Sequence, residues 1–563
     1  MIALTLVGLA LAQDPVMDGL KAELDRNMAE LALPDADGPY FIAYELHESF
    51  DVHVRAMLGG IVADRRDPSR SLGVSVRVGS PEMDNSGFRA SFRGTGFDDL
   101  HLSDEASPEA TRRAAWYQTD ECYKGAVEIL GRKEAARRNQ REVERPANFV
   151  LTRGAAVALA PQEPPDKAAA DKLATLCRDL SAVFLSHPEV EHSEVHCIST
   201  GGRRVTLDSL GTNSQVPIAE TDVRIVGMAR ADDGATMSDH ASWVVRTIKD
   251  LPPRQEMLDA AEELALRLED WRQAEAMDER YVGPVLFVDE AAVSLFRELM
   301  VPALSGTPPP EREKFSGGAT SDGGLLSLKR RILPPGFSVW DDPQLDSALP
   351  SSYKYDNEGI EGQKVDLVQD GLLRDMLMSR IPNLDIEVSN GHGRSLMGDP
   401  VRGMPSNMVV EAPHKSEKKF LRAAWALAAP YDLDYLLVVR RLADAAVASK
   451  GGTKLFSFFD RRESSGLSDP VEVVRLYPDG REEVVRGYRF GHVDRRTLRD
   501  IATAGQSETR TFLHSHRGSS WSLTYGLPTT LTAPEVLITE LELVPIEEVG
   551  DKPPLLESPL AEN

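Results

Sequence analysis

The sequence predicts an α+β protein of more than one domain. Its 563 residues exceed what one compact core usually holds. Alternating apolar and polar runs punctuated by Gly are interleaved with Ala/Leu/Glu-rich runs of helical period. The strand-like runs dominate from residue 281 to 545, so an N-terminal α/β region and central strands precede a larger, β-rich C-terminal domain.

Composition narrows the function classes. Apolar residues make up 41% and charged residues 27%, ordinary for a soluble globular protein. The 89 acidic residues outnumber 64 basic ones, a formal charge of −25 that repels phosphate backbones and disfavours nucleic-acid binding. Cys122, Cys177 and Cys197 are too sparse for a disulfide framework; one bridge or three separate thiols both fit.

In chain order, residues 1–12 read MIALTLVGLALA, an uncharged apolar run ending in an A-x-A cleavage pattern. It predicts a signal peptide and an exported, periplasmic or secreted, protein. Its missing basic flank places the true start upstream if the pattern is genuine. The run is too short to span a bilayer, and no other uncharged run approaches that length, so no membrane span is expected in the mature chain.

Residues 15–155 form the first region. Leu20, Leu24, Met28 and Leu31 give Pro15 to Leu33 a helical stripe. YFIAYELHESFDVHVRAMLGGIVADRR alternates as strands across Gly59-Gly60, SLGVSVRVGS (71–80) is a cleaner strand with the same turn punctuation, and 109–145 predicts a long solvated helix. The second region, 170–278, follows the linker APQEPPDKAAADK, where a helix starts. It predicts several short strands with Gly and Asp turns, then a helix over 257–274. In the third region, 281–545, GPVLFVDEAAVSLFREL is a strand running into a helix, and 307–324 is a flexible loop. FLRAAWALAAPYDLDYLLVV is a helix leading to a strand. VEVVRLYPDGREEVVRGYRF is a hairpin turning at Pro478-Asp479-Gly480, and DRRTLRDIATAG is a short helix closed by Gly505. The Pro- and Glu-rich stretch 546–563 predicts a disordered tail.

The order SLGVSVRVGS, DSLGTNSQVPIAETDVRIVGMARADDG, YVGPVLFVDEAAVSLFREL, YDNEGIEGQKVDLVQDGLLRDMLMSR, SNGHGRSLMGDPVRGMPSNMVV and TAPEVLITELELV resembles the TldD/PmbA family over roughly residues 40–545. That family is metallopeptidase-related and is also described as modulators of DNA gyrase. The resemblance implies a TldD/PmbA-like fold and a role in proteolysis or peptide processing. Its metal-bearing subunit shows H-E-x-x-x-H on a helix, where two imidazoles hold zinc and the Glu moves protons. Here the corresponding positions are Asp289, Glu290 and Ser294. Ser is a poor zinc ligand, so no metal ligand is assigned to this chain, and Asp289 reads as a helix-capping carboxylate.

In lacking the zinc motif the chain is closer to the PmbA (TldE) type. The resemblance therefore implies a subunit without its own zinc, acting on a peptide or protein with a TldD-like, zinc-bearing partner in a homo- or hetero-oligomer. Glu290 is the candidate catalytic residue. His392 and Arg394 in SNGHGRS, with Asp356 and Glu358 in YDNEG, are candidate substrate-binding residues. A non-enzymatic peptide-binding scaffold is the alternative; a third reading joins Glu290, Asp289 and His392 in an unusual metal site. His187, His192, His196 and Cys197 lie in a segment that reads as extended, and His514 with His516 are strand neighbours. Neither set has the spacing of a strong zinc motif.

Overall fold

The computed structural model describes residues 14–89, 96–105, 107–138, 143–312, 325–396, 399–443, 466–514 and 526–546, with a few positions from 554 to 562. The expected leader, His516, residues 313–324 of the expected loop and most of the tail lie outside the described residues; within the tail, Pro559–Glu562 form a 3-10 turn.

Two sheets organise the chain. The first contains β1 (Phe41–Met57), β2 (Gly60–Arg77), β3 (Phe97–His101), β4 (Ala156–Ala158), β5 (Val190–Asp208), β6 (Asn213–Arg230) and β7 (Thr236–Val245). Their order is β3-β2-β1-β5-β6, with β4 and β7 both on β6. β1 and β2 reverse through Leu58 and Gly59, both at positive φ (46° and 74°), as a two-residue hairpin turn requires. β1 pairs antiparallel with β5 from Ala43↔Asp208 to Ala56↔Val195. The N-terminal and central segments therefore share one sheet, because joining the two hairpins removes an exposed edge from each.

β5 corrects the expectation of several short strands. It is one strand of 19 residues, with Gly201-Gly202 inside it rather than at a turn. A Cβ at Gly202 would stand 2.1 Å from the Glu48 carbonyl oxygen, so this glycine admits a close backbone approach.

Strand alternation puts the even-numbered residues of β1 on one face of the sheet. Towards the start of the strand Ile42, Tyr44 and Leu46 lie beneath α1 (Pro15–Glu30) and α2 (Pro108–Arg138); towards its end Val52, Val54 and Ala56 lie beneath α3 (Lys167–Ala182) and α4 (Arg254–Gln273). Asp14 and Asp166 start α1 and α3 by accepting the amides of Val16 (3.1 Å) and Ala169 (2.7 Å). Fully buried leucines such as Leu264 and Leu268 on α4 each contribute roughly 1.5–3 kcal/mol. α2 is less solvated than expected: Ala115, Tyr123, Ala126 and Ile129 are buried, and Lys133 gives its ammonium to the carbonyls of Asp84 and Ser86 and to Asn148.

His187 ties the start of β5 to α4. Its Nδ1 lies 2.8 Å from Glu269 and its Nε2 3.1 Å from Glu262. Burial alone would lower its pKa, but these two carboxylates outweigh it and raise the value above 6.5. The stabilisation is full below the unfolded value and is lost as pH rises through the raised native one. His187→Gln is expected to cost about 1 kcal/mol at pH 5.5 and less at pH 8.5, read from urea unfolding at both pH values. An equal cost at both would remove the charge from this account.

The second sheet contains β8 (Tyr281–Phe287), β9 (Ser338–Asp341), β10 (Val365–Gln369), β11 (Asn407–Glu411), β12 (Leu436–Leu442), β13 (Pro470–Leu476), β14 (Glu482–Arg486), β15 (Tyr488–Phe490), β16 (Ile501–His514) and β17 (Leu527–Pro545). The path is β10-β9-β11-β17-β8-β12-β13-β14, with β15 and β16 also on β17. α5 (Asp289–Leu299) covers the face of Val285, Phe287 and Ile538, and α6 (Glu417–Ala428) the face of Leu286 and Leu537. The hairpin at Pro478-Asp479-Gly480 forms as expected, with Gly480 at φ 86°.

The short helix expected around 494–505 is instead a 3-10 turn, Arg495–Asp500, that runs into β16. Ile501 and Thr503 are β-branched and favour strand, and Gly505 lies at a register irregularity rather than at a helix end.

Candidate functional site

The polar face of the first sheet, carrying Glu45, Arg204, Thr206 and Asp208, meets the loops around β9, β10 and β11 of the second. Asn357 is the joint. Its Oδ1 accepts from Arg204 (2.9 Å), its carbonyl from Thr206 (3.1 Å), and its Nδ2 donates to Glu45 (3.0 Å). A cleft of about 80 Å³ opens between the halves, lined in part by Phe41, Glu45, Asn357, Glu358, Arg380 and Ser395.

Asp356 and Glu358 sit at this joint, 2% and 4% exposed. Asp356 Oδ1 accepts the amides of Glu358 and Ile360, both at 2.9 Å, and Oδ2 accepts that of Gly393 at 2.8 Å. Glu358 accepts the Arg380 amide at 2.7 Å and lies 3.2 Å from its Nε. Gly393 explains how two carboxylates come so close: a Cβ there would be 2.6 Å from Glu358 and 2.9 Å from Asp356. Burial, then the neighbouring Glu358 charge, push Asp356 up to about 7. Such a pair holds a proton near neutrality and can give or take one at a bound group.

The sign of the pH dependence follows. Between the ordinary value of 3.8 and about 7 the native state keeps a proton that the unfolded chain has released, so stability falls as pH rises across that window. Glu358→Gln removes the like charge and is expected to make that fall shallower, measured by urea unfolding from pH 4 to 8. An unchanged slope would separate the two carboxyls.

The other expected residues divide. His392 lies just behind Gly393, fully buried, with Nε2 2.9 Å from Asp341 and Nδ1 3.0 Å from Asn390 Oδ1. Asp341 also accepts the Ser406 amide (2.9 Å) and hydroxyl. His392 therefore orients the loop, and a contact with substrate is not its geometry. Arg394 donates to the carbonyls of Pro405 and Pro528 (the latter 2.9 Å) and stacks on Tyr353. Buried and committed to backbone, it does not reach for a ligand carboxylate.

Glu290, the candidate catalytic residue, is held in an ion-pair network. It lies on α5, 2.9 Å from Arg441 and 3.6 Å from His240, while Arg441 also reaches Asp239 at 3.0 Å. Asp289 does not cap α5 with its side chain; it holds a left-handed backbone (φ 49°) and its carboxylate stands 3.9 Å from Arg440. Ser294 is buried in the core face. A guanidinium on the central carboxylate and a serine at the next position do not fit zinc. Among the described residues no group of three or more His, Cys, Asp and Glu could hold a metal, so Asp289, Glu290 and His392 do not form the unusual site. His187 faces α4, His196 meets Glu194, and Cys197 is buried beneath the helices, so that set does not converge either. The three cysteines are free.

Sequence reasoning missed Arg380, Asp208, Asp341 and Glu220. Arg380 links Glu358 to Asp208 (2.9 Å), and nothing in MLMSRIP marks it except a lone cation in an apolar run. Glu220 faces Arg394, Asp222 and Asp51; burial and Asp222 push it up to about 8.

The two-sheet arrangement defines an α+β protein of the TldD/TldE fold. Structures with that fold cover nearly the whole chain. A Bacteroides thetaiotaomicron protein described as a modulator of DNA gyrase aligns with TM-score 0.58 at 11% identity, covering 95% of this chain and 100% of its own. A Thermotoga maritima protein of the same description gives 0.55 at 14%, with 94% and 99% covered. TldE from Thermococcus kodakarensis gives 0.53 at 12%, with 94% and 100% covered. In sequence, residues 279–453 match the PmbA/TldA metallopeptidase C-terminal domain. A stretch of 149 residues is 29% identical to Metalloprotease PmbA of Escherichia coli O157:H7, spanning 26% of this chain and 30% of that relative, less than a third of its length. The chain therefore resembles the TldD/PmbA family. No helix among the described residues is long and apolar enough to cross a membrane.

Proposed function

We propose that the chain is a zinc-free subunit of a peptide-processing assembly, exported through its N-terminal leader and working beside a TldD-like chain that carries the metal. The observation that carries this reading is Glu290. It stands on the strand–helix junction where the resemblance implies the zinc-site glutamate, yet it is held by Arg441 with Ser294 behind it. The chain's own contribution is then the cleft between the sheets, where Glu358 and Arg380 line the floor and Asp356 supplies a shared proton.

The test is peptide hydrolysis by the purified mature chain, alone and mixed with a TldD-like chain bearing H-E-x-x-x-H. Expected are no hydrolysis alone and chelator-sensitive hydrolysis in the mixture. Chelator-sensitive cleavage by the isolated chain would overturn the reading. Peptide binding without hydrolysis in the mixture would favour a scaffold instead.

A further inference from the structure

A second site lies away from the cleft, on the second sheet's side of the molecule. Arg330 and Arg331 approach from the segment before β9, and Arg495, Arg496 and Arg499 from the 3-10 turn before β16. Together they ring a depression of about 30 Å³ whose floor includes Leu299, Ile332 and Leu498. The grouping runs against the composition, since the chain carries 25 more acidic than basic residues.

Among the described residues Arg330, Arg495 and Arg499 make no ion pair or hydrogen bond through their side chains. Arg496 reaches Asp494 only at 4.0 Å, and Arg331 gives one donor to the Asp370 carbonyl at 3.0 Å. Arg330, Arg496 and Arg499 are exposed. Five arginines line this one depression, and guanidiniums bind carboxylates in a bidentate fork.

We propose that this collar is a docking site for an acidic segment of a partner protein, one that places an apolar side chain between its carboxylates. The apolar floor of the depression offers contact to such a side chain, and the arginines around it match the flanking charges. A nucleic acid fits less well: its bases offer no aliphatic anchor, and the field of a −25 chain opposes a long polyanion.

The experiment uses the full chain and a fluorescein-labelled peptide with one central leucine flanked on both sides by glutamates, read by fluorescence anisotropy. Expected is binding that weakens as salt rises, because the contact is charge-assisted. Arg495→Glu/Arg499→Glu, and separately Arg330→Glu, should each weaken it at least about tenfold (~1.4 kcal/mol). These side chains have no partners to lose among the described residues, so the variants should melt with the parent protein. Replacing the central leucine by serine should weaken binding too. The proposal is overturned if the parent protein does not bind, if the charge reversals change nothing, if the serine peptide binds equally, or if oligothymidylate or inorganic phosphate competes as well as the peptide.

Discussion

Arg380→Met is expected to destabilise the protein by about 3–5 kcal/mol, the cost of leaving buried charge without its partner. Arg380 is 3% exposed and holds two carboxylates from opposite halves: Asp208 at the end of β5 and Glu358 in the loop after β9. It also gives a hydrogen bond to the Thr152 carbonyl (3.1 Å) and stacks near Phe41 and Phe149. Methionine keeps most of the stem's packing, so the loss is chiefly electrostatic. Urea unfolding measures it, and the difference from the parent should shrink towards pH 4, where the stranded carboxylates take up protons. A change below about 1 kcal/mol would mean that Asp208 and Glu358 are not held by this arginine.

That joint explains what was and was not legible in the sequence. β1 and β2 were readable because alternation and a Gly-Gly break are local signals. The α+β class followed from such signals summed along the chain. β5 was misread because Gly201-Gly202 looks like a turn locally, while its role is set by Glu48 on a strand some 150 residues away in sequence. The site shows the same limit. Asp356 and Glu358 stood out as a carboxylate pair in a glycine-rich turn. Arg380 and Asp208, which hold the pair in place, come from other segments and carry no motif. His392 and Arg394 drew notice through their flanking glycines. Gly393 is small because two carboxylates crowd it, and its neighbours serve the loop.

The second joint has its own expected result: Arg441→Met should cost about 2–3 kcal/mol. Arg441 on β12 bridges Asp239 of β7 and Glu290 of α5, so the substitution strands a carboxylate from each sheet's side. The cost is smaller than at Arg380 because Arg267 still pairs with Asp239 at 2.8 Å and Glu290 is partly solvated. Burial would raise the Asp239 pKa, but Arg441 and Arg267 outweigh it and hold it below the ordinary value. Its contribution is thus present above the unfolded pKa and fades as pH falls through the native one. Parent and variant stabilities should therefore converge in acid. Glu290→Gln then separates structure from chemistry. If Glu290 only balances Arg441, the glutamine variant should lose about 1 kcal/mol of stability, and hydrolysis in the mixed assembly should be unchanged at a temperature where both proteins are folded. A variant that folds fully yet abolishes hydrolysis would return Glu290 to the catalytic step, and the ion pair with Arg441 would then be a resting state broken on assembly.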